Sequence, residues 1–88
     1  MQVEFLSKFN KDISSINQKS IKTNILRIID QVEEAKTLSE ISGLKKLKGF
    51  KEAYRIRVGD YRLGLFISKN KVQFARFIHR KDIYKLFP

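Results

Sequence analysis

The sequence of 88 residues contains no cysteine, and its one proline is the last residue, Pro88. Without cysteine the chain can form neither a disulfide framework nor a thiolate metal site, which is consistent with a reducing compartment. No stretch approaches the roughly 20 apolar residues that span a bilayer, and no signal peptide is evident. Linkers, repeats and low-complexity segments are also absent. We therefore expect a soluble cytoplasmic protein with no membrane partner, formed by one domain over residues 1–88.

Acidic residues are scarce, and their scarcity is confined to one half of the chain. Residues 1–44 hold six Lys/Arg and six Asp/Glu, whereas residues 45–88 hold thirteen Lys/Arg and three Asp/Glu. The whole formal net charge of +10 therefore belongs to the second half. Such asymmetry favours a polyanionic partner, either a nucleic acid or an acidic protein, over a merely solvated basic face.

The first half has helical periodicity. Gln2–Leu6 is interpreted either as a short strand or as the lead into a helix. The first apolar helical face, at steps of four, four and three, consists of Phe5, Phe9, Ile13 and Ile16. Asn17 is placed at the N-cap of a second helix. The apolar stripe of that helix consists of Ile21, Ile25, Ile28, Val32 and Ala35, widened by Leu26 and Ile29.

The second half changes to the period of strands. A capping box at Thr37–Glu40 and a stop at Gly43 define the connector. Alternation then predicts three strands, at Ala53–Val58, Tyr61–Ile67 and Lys71–Ile78, joined by hairpins at Gly59-Asp60 and Ser68–Asn70. The predicted class is α+β, with two N-terminal helices packed on a small antiparallel sheet and a short C-terminal helix.

The Gly59-Asp60 hairpin determines which side chains share a face of the sheet. It places Arg57 directly opposite Arg62, and Arg55 opposite Gly64. Opposed like charges cost up to about 1 kcal/mol, so a surface serving stability alone would avoid them. Three guanidiniums around the small glycine would form a shallow anion site able to bind a phosphate. The alternative is a solvated face with the arginines splayed apart.

The second hairpin leaves two interpretations open. With Lys69-Asn70 as its loop, Phe77 lies beside Arg62, where it either stacks on a base or packs under a terminal helix. The same register places Arg76 among the apolar side chains. A β-bulge or a different loop is therefore the alternative.

The available side chains restrict the chemistry. One His and scattered acids offer no metal constellation, no Ser-His-Asp arrangement and no paired carboxylates. Arg, Lys, Tyr and His around an anion suit metal-independent RNA cleavage, in which the 2′-OH of the RNA attacks the adjacent phosphate. Arginine is a poor proton carrier, so Tyr84, His79 or a lysine must move the protons. Arg80 lies one helical turn before Tyr84, and both are expected to overhang the arginine face.

Three segments carry a family resemblance: Leu47–Gly49, Tyr54–Leu63 and His79–Tyr84. With the order of helices, sheet and C-terminal element, they resemble the RelE/ParE superfamily of toxins from toxin–antitoxin systems. RelE-like members cleave mRNA in the ribosomal A site, without a metal or other cofactor, and are neutralised by a cognate antitoxin. The resemblance implies catalytic roles for Arg55, Arg57, Arg62, Arg80 and Tyr84, and the need for a proton carrier adds His79 to the predicted catalytic set. The predicted RNA-binding residues are Lys45, Lys46, Lys48, Lys51, Phe77 and Lys81.

The superfamily leaves the activity open. ParE-like members share the fold but inhibit DNA gyrase and are not nucleases. The basic set and the terminal Tyr84 favour the RelE-like function. An inactive member that only binds RNA or its antitoxin is the third alternative.

Overall fold

One five-stranded sheet organises the chain, and the computed structural model describes all residues, 1–88. The elements are β1 Gln2–Phe5, α1 Ser7–Ser14, α2 Lys19–Glu34, β2 Leu44–Lys46, β3 Ala53–Val58, β4 Tyr61–Ser68, β5 Lys71–His79 and α3 Ile83–Leu86. A 3₁₀ turn at Leu38–Glu40 lies between α2 and β2. The predicted α+β class is confirmed, including both N-terminal helices and the short C-terminal helix.

The sheet contains the predicted meander and two further strands, in the order β1-β5-β4-β3-β2. The strands β3, β4 and β5 are antiparallel, and β2 adds an antiparallel edge. The opposite edge is β1, which runs parallel to β5 with Val3 beside Val72. Gln2–Leu6 is therefore a strand as far as Phe5 rather than the lead into a helix, and the helical face begins only at Ser7.

The main core lies between α1, α2 and one face of the sheet. The side chains of Ile25 and Val32 on α2 are buried against it, as their spacing predicts. Leu26 does not extend this stripe, because its side chain is 62% exposed. The N-cap of α2 is Gln18 rather than Asn17, and it makes no side-chain capping bond. Tertiary burial of the apolar face therefore stabilises this helix without a polar cap.

The expected capping box at Thr37–Glu40 does not form, and a side-chain contact between the same two residues takes its place. Glu40 does reach back, but its carboxylate accepts hydrogen bonds from the Thr37 hydroxyl at 3.2 Å and from the Lys36 N–H at 3.3 Å. The Thr37 hydroxyl accepts no hydrogen bond from a backbone N–H of the turn, so it does not cap it. The turn ends before Gly43, whose φ of +73° reverses the chain into β2.

A β-bulge in β5 decides between the two interpretations of the second hairpin. Lys69-Asn70 is the loop, because Ser68 pairs with Lys71. The register then shifts between Gly64 and Leu65, which pair with Arg76 and Phe74 and leave Ala75 as the additional residue. The bulge turns Arg76 away from the main core and turns Phe77 into it.

Asp12 of α1 secures the strand just beyond this bulge. Its carboxylate accepts hydrogen bonds from Arg76 Nε at 2.8 Å, from Arg76 Nη2 at 3.2 Å and from the Phe77 backbone N–H at 2.9 Å. Both charged side chains are largely shielded, with exposed fractions of 17% and 18%. The edge strand β1 ends at Phe5, so the carboxylate satisfies an N–H that no neighbouring strand reaches.

Asp12→Ala should destabilise the fold by about 2 kcal/mol, because it leaves a shielded guanidinium and a backbone N–H without their acceptor. Urea unfolding of the purified protein measures this change. Lys71→Ala is the matched control, since it removes the exposed ion pair with Glu4 and should cost at most about 0.5 kcal/mol. Equal losses in the two variants would contradict this account of Asp12.

Candidate nucleic-acid interface

The β3–β4 hairpin aligns three arginines on the sheet face that α1 and α2 leave uncovered. Its loop is Gly59-Asp60, and the glycine has a φ of +60°, which this residue adopts without steric cost. Arg57 pairs with Arg62, and Arg55 pairs with Gly64. The expected opposition of two like charges is therefore present in the sheet.

Arg62 is the fixed member of this cluster. Its Nη1 donates hydrogen bonds to the carbonyl oxygens of Gly59 at 3.0 Å and Tyr61 at 2.9 Å. These bonds hold the guanidinium against the hairpin turn. Arg57 is exposed and Arg55 is half-buried, and neither side chain donates a hydrogen bond within the protein. The cluster thus combines one oriented guanidinium with two whose donors are available to a ligand.

The pKa of the Arg62 guanidinium is shifted by burial and by the charged groups around it. Burial lowers the pKa of its guanidinium, and the charges of Arg57 and Arg55 lower that pKa further. Arg80 acts in the same direction, whereas Tyr84 acts in the opposite one. A guanidinium is not deprotonated in proteins near neutral pH, so the group stays charged there. The part of the pKa shift that the neighbouring arginines cause is a repulsion that a bound anion would relieve.

No acidic side chain neutralises this cluster. The protein has two ion pairs, Lys71 with Glu4 and Arg76 with Asp12, and both lie elsewhere. Asp60 is the nearest acid in the sequence, and it lies in the exposed hairpin loop. The positive charge of the cluster is therefore left for a partner outside the chain.

The C-terminal segment carries Arg80 and Tyr84 to the same region. The Arg80 N–H donates to the carbonyl oxygen of Asp60 at 2.8 Å, which ties the segment to the hairpin. Ile83 and Phe87 are buried, with exposed fractions of 1% and 3%, whereas Tyr84 between them is 70% exposed. Two apolar anchors thus hold α3 and leave the phenol in solvent beside the arginines.

The predicted hollow around Gly64 is filled by the C-terminal segment. A Cβ built on this glycine would lie 2.8 Å from two atoms of the Phe87 ring. No other residue type fits there unless the ring moves. The expected anion site over Gly64 is therefore wrong, and Phe87 forms a wall beside Arg55 instead.

Phe77 and His79 lie on the helix-covered side of the sheet. Phe77 is 3% exposed in the main core, stacked on Tyr61 with ring centroids 5.0 Å apart. The structure contradicts its expected role as an RNA-binding residue, because the bulge turns it inward. His79 pairs with Tyr61 across the sheet, and its Nδ1 accepts the Lys81 N–H at 3.2 Å. The imidazole is not brought into the arginine cluster.

Several lysines line a groove that continues from the cluster. We name it the lysine groove, and it is bounded by Lys45, Lys46, Lys48, Phe50, Arg55 and Tyr84, with the wall of Phe87. Its volume is about 400 Å³, and none of its lining residues is acidic. The structure thus brings three of the predicted RNA-binding lysines beside two of the predicted catalytic residues.

The remaining candidates lie at the margins of this surface. Lys51 lines a second depression, of about 390 Å³, that shares Phe50 with the groove. Lys81 is exposed next to Arg80. The sequence patterns did not single out Phe50, which lines the groove and is 50% exposed. Two features of the sequence could have indicated it: Phe50 belongs to neither the helical nor the strand pattern of apolar residues, and it lies between Lys48 and Lys51.

Two further classes of site are not formed. No group of three or more His, Asp or Glu side chains converges in a way that could hold a metal ion. No helix has the length and apolar character required to cross a membrane. The fold and the arginine cluster thus define a small basic α+β protein whose arginine-bearing sheet face suits a polyanionic ligand.

Comparison with known proteins identifies the family. The toxin RelE3 of Methanocaldococcus jannaschii is 37% identical over 89 residues, and the alignment covers 100% of both chains. A RelB–RelE antitoxin–toxin complex from Methanococcus jannaschii matches with a TM-score of 0.81 at 36% identity, covering 96% of this chain and 98% of the other. No protein-family model matches the chain. The chain belongs to the RelE family of toxins.

More distant structures support the fold alone. A RelE–RelB complex from Pyrococcus horikoshii matches with a TM-score of 0.72 at 23% identity, covering 90% of this chain and 93% of the other. The YoeB dimer from Staphylococcus aureus gives a TM-score of 0.74 at 19% identity over 91% of this chain. The architecture is therefore retained where most side chains differ.

Gly64→Ala should displace the Phe87 ring and destabilise the fold by about 1–3 kcal/mol, the usual cost of overpacking. Adding Phe87→Leu should recover part of that loss, because the smaller side chain leaves room for the new methyl group. Urea unfolding of both single variants and the double variant measures the coupling. Strictly additive losses would show that the two residues do not constrain each other.

Proposed function

We propose that this protein is the toxin of a type II toxin–antitoxin system and an endoribonuclease that cleaves mRNA in the ribosomal A site. The observation that carries the proposal is the convergence of an exposed tyrosine with unneutralised arginines. These residues are Arg55, Arg57, Arg62, Arg80 and Tyr84. The similarity to a protein named as a RelE toxin supports it. The site of action places the protein in the cytoplasm.

The reaction needs no nucleophile from the protein. The 2′-oxygen of the RNA bonds to the adjacent phosphorus and releases its proton. The bond between phosphorus and the 5′-oxygen breaks, and that oxygen takes up a proton. The products are a 2′,3′-cyclic phosphate and a free 5′-hydroxyl. The protein must hold the phosphate in line, stabilise its additional negative charge and assist the proton transfers.

The arginines suit the first two tasks. Arg62 is oriented by its two carbonyl contacts, so little reorganisation is needed when negative charge develops on the phosphate. Arg57, directly opposite, presents all its donors to solvent, and a guanidinium can bind two phosphate oxygens at once. Bringing a phosphate between them converts their mutual repulsion into two attractive contacts.

Tyr84 is the group assigned to proton transfer. Its phenol is exposed within the electrostatic reach of Arg62. His79 is set aside, because its ring faces the helix-covered side and its Nδ1 is occupied by a backbone N–H. A single phenol among arginines provides only weak general acid–base catalysis. The ribosome then contributes the alignment of the RNA, which explains why the substrate is mRNA on the ribosome.

A cognate antitoxin is the proposed second partner. The solved relative of 36% identity is an antitoxin–toxin complex. The net charge of +10 and the absence of acids from the arginine cluster favour an acidic antitoxin segment. Such a segment neutralises the toxin by occupying the surface that would bind the phosphate.

Arg62→Ala should reduce codon-phased mRNA cleavage by about 10²-fold or more, because it removes an oriented donor from the developing charge. Mapping of mRNA ends in a translating extract measures this. Lys22→Ala, an exposed cation on α2, should cleave like the unmodified protein. Circular dichroism of Arg62→Ala verifies that the hairpin still folds.

The same assay distinguishes the alternative activities. Arrested growth with intact mRNA would overturn the nuclease proposal, and a supercoiling assay would then test inhibition of DNA gyrase. Unaffected growth with intact mRNA would instead indicate an inactive family member.

Tyr84→Phe should lower the cleavage rate by about 10²-fold, the usual contribution of a positioned proton-transfer group, while toxin still binds the ribosome. His79→Gln should change the rate less than about three-fold, since the imidazole lies on the other face and Gln keeps an acceptor. Single-turnover cleavage with saturating toxin separates chemistry from binding. A larger loss in His79→Gln than in Tyr84→Phe would reverse the assignment.

A further inference from the structure

Phe50 lies on a loop whose backbone is fixed from both ends. The Leu47 N–H donates to the Ala53 carbonyl at 2.8 Å, and the Phe50 N–H donates to the Leu47 carbonyl at 3.3 Å. Leu47 itself is buried. Gly49 has a φ of +87°, which permits the tight turn. The loop therefore holds the backbone of Phe50 in place, although its ring is absent from both apolar clusters.

The surroundings of this ring are cationic. Lys46 and Lys48 line the lysine groove with it, and Lys51 follows it in the chain. The other apolar residues of the groove, Leu47, Phe87 and Pro88, lie there with four cations and no acid, whereas the core of a surface that docks an apolar protein segment is depleted of charged side chains. A flat aromatic face framed by lysines instead matches a single-stranded nucleic acid, which stacks its bases on aromatic rings and places its phosphates on cations.

The groove is continuous with the proposed site of cleavage, because Arg55 and Tyr84 belong to both. A nucleotide lying in the groove would be linked to the phosphate held by the arginine cluster. We propose that the lysine groove binds a nucleotide next to the scissile phosphate and that Phe50 stacks on its base. This proposal rests on the proposed function and adds an RNA-binding position to it.

Base stacking requires an aromatic ring, whereas simple apolar burial does not. Phe50→Leu therefore removes stacking but keeps an apolar side chain, and Phe50→Trp keeps an aromatic face. The matched control is Leu26→Ala, which truncates an exposed apolar side chain on α2, on the far side of the sheet. None of these positions belongs to either core cluster, so all three variants should fold.

The probe is a short single-stranded RNA that carries 2′-O-methyl groups throughout and one 2-aminopurine. It has no free 2′-OH and stays intact. The unmodified protein should quench the 2-aminopurine fluorescence on binding. Phe50→Leu should lose the quenching and bind about ten-fold more weakly. Phe50→Trp and Leu26→Ala should retain both quenching and affinity.

Salt titration separates the contribution of the Phe50 ring to RNA affinity from the contribution of the lysine charges. Lys48→Ala should reduce the slope of log affinity against log salt by about 0.7, the value for one phosphate contact on a single strand. Phe50→Leu should leave that slope unchanged. Equal weakening of a poly-glutamate peptide and of the RNA by Phe50→Leu would overturn the proposal, because the groove would then accept any extended polyanion.

Failure of this inference is distinguishable from failure of the nuclease proposal, since the probe cannot be cleaved. Unaltered quenching and affinity in Phe50→Leu would overturn the stacking position, even where mRNA is cut in a translating extract. Ring-dependent quenching with intact mRNA would support an RNA-binding groove and overturn the nuclease activity instead.

Discussion

The register of the β3–β4 hairpin is the constraint on which the rest of the site depends. Pairing Ile56 with Leu63 gives the main core two of its buried side chains, and the same pairing sets Arg57 against Arg62. A shift of one residue would expose the apolar side chains and bury the guanidiniums. The repulsion between the arginines is therefore tolerated because the burial of apolar side chains on the other face outweighs it.

The smaller apolar cluster connects the two halves of the functional surface. It contains Leu47, the base of the Phe50 loop, together with Ile83 and Phe87, the anchors of the segment that bears Tyr84. Both walls of the lysine groove thus rest on one packed layer. A change at Gly64 or Phe87 reaches the groove through this layer although neither residue contributes a polar group to it.

Turn chemistry and strand alternation predicted which residues share the arginine face of the hairpin. The positions of Phe77, Phe87 and Phe50 depend on tertiary contacts. Gly59-Asp60 and the alternation around it determined the arginine register, because a two-residue loop leaves few options. The bulge at Ala75 has no distinctive residue, so the inward direction of Phe77 could not be derived. The contact of Phe87 with Gly64 joins residues far apart in the chain. Phe50 was missed because periodicity finds buried residues and cannot indicate which exposed ones matter.

The lack of an ion pair in the arginine cluster has a consequence for the lifetime of the protein. A ligand that binds the folded chain and not the unfolded one raises the free energy of unfolding by mass action. Each polyanion that neutralises Arg57 and Arg62 therefore protects the fold as well as occupying the site. In the unliganded protein the repulsion between Arg57 and Arg62 is not relieved. This state therefore unfolds more readily than any liganded state and is the most exposed to degradation by cellular proteases.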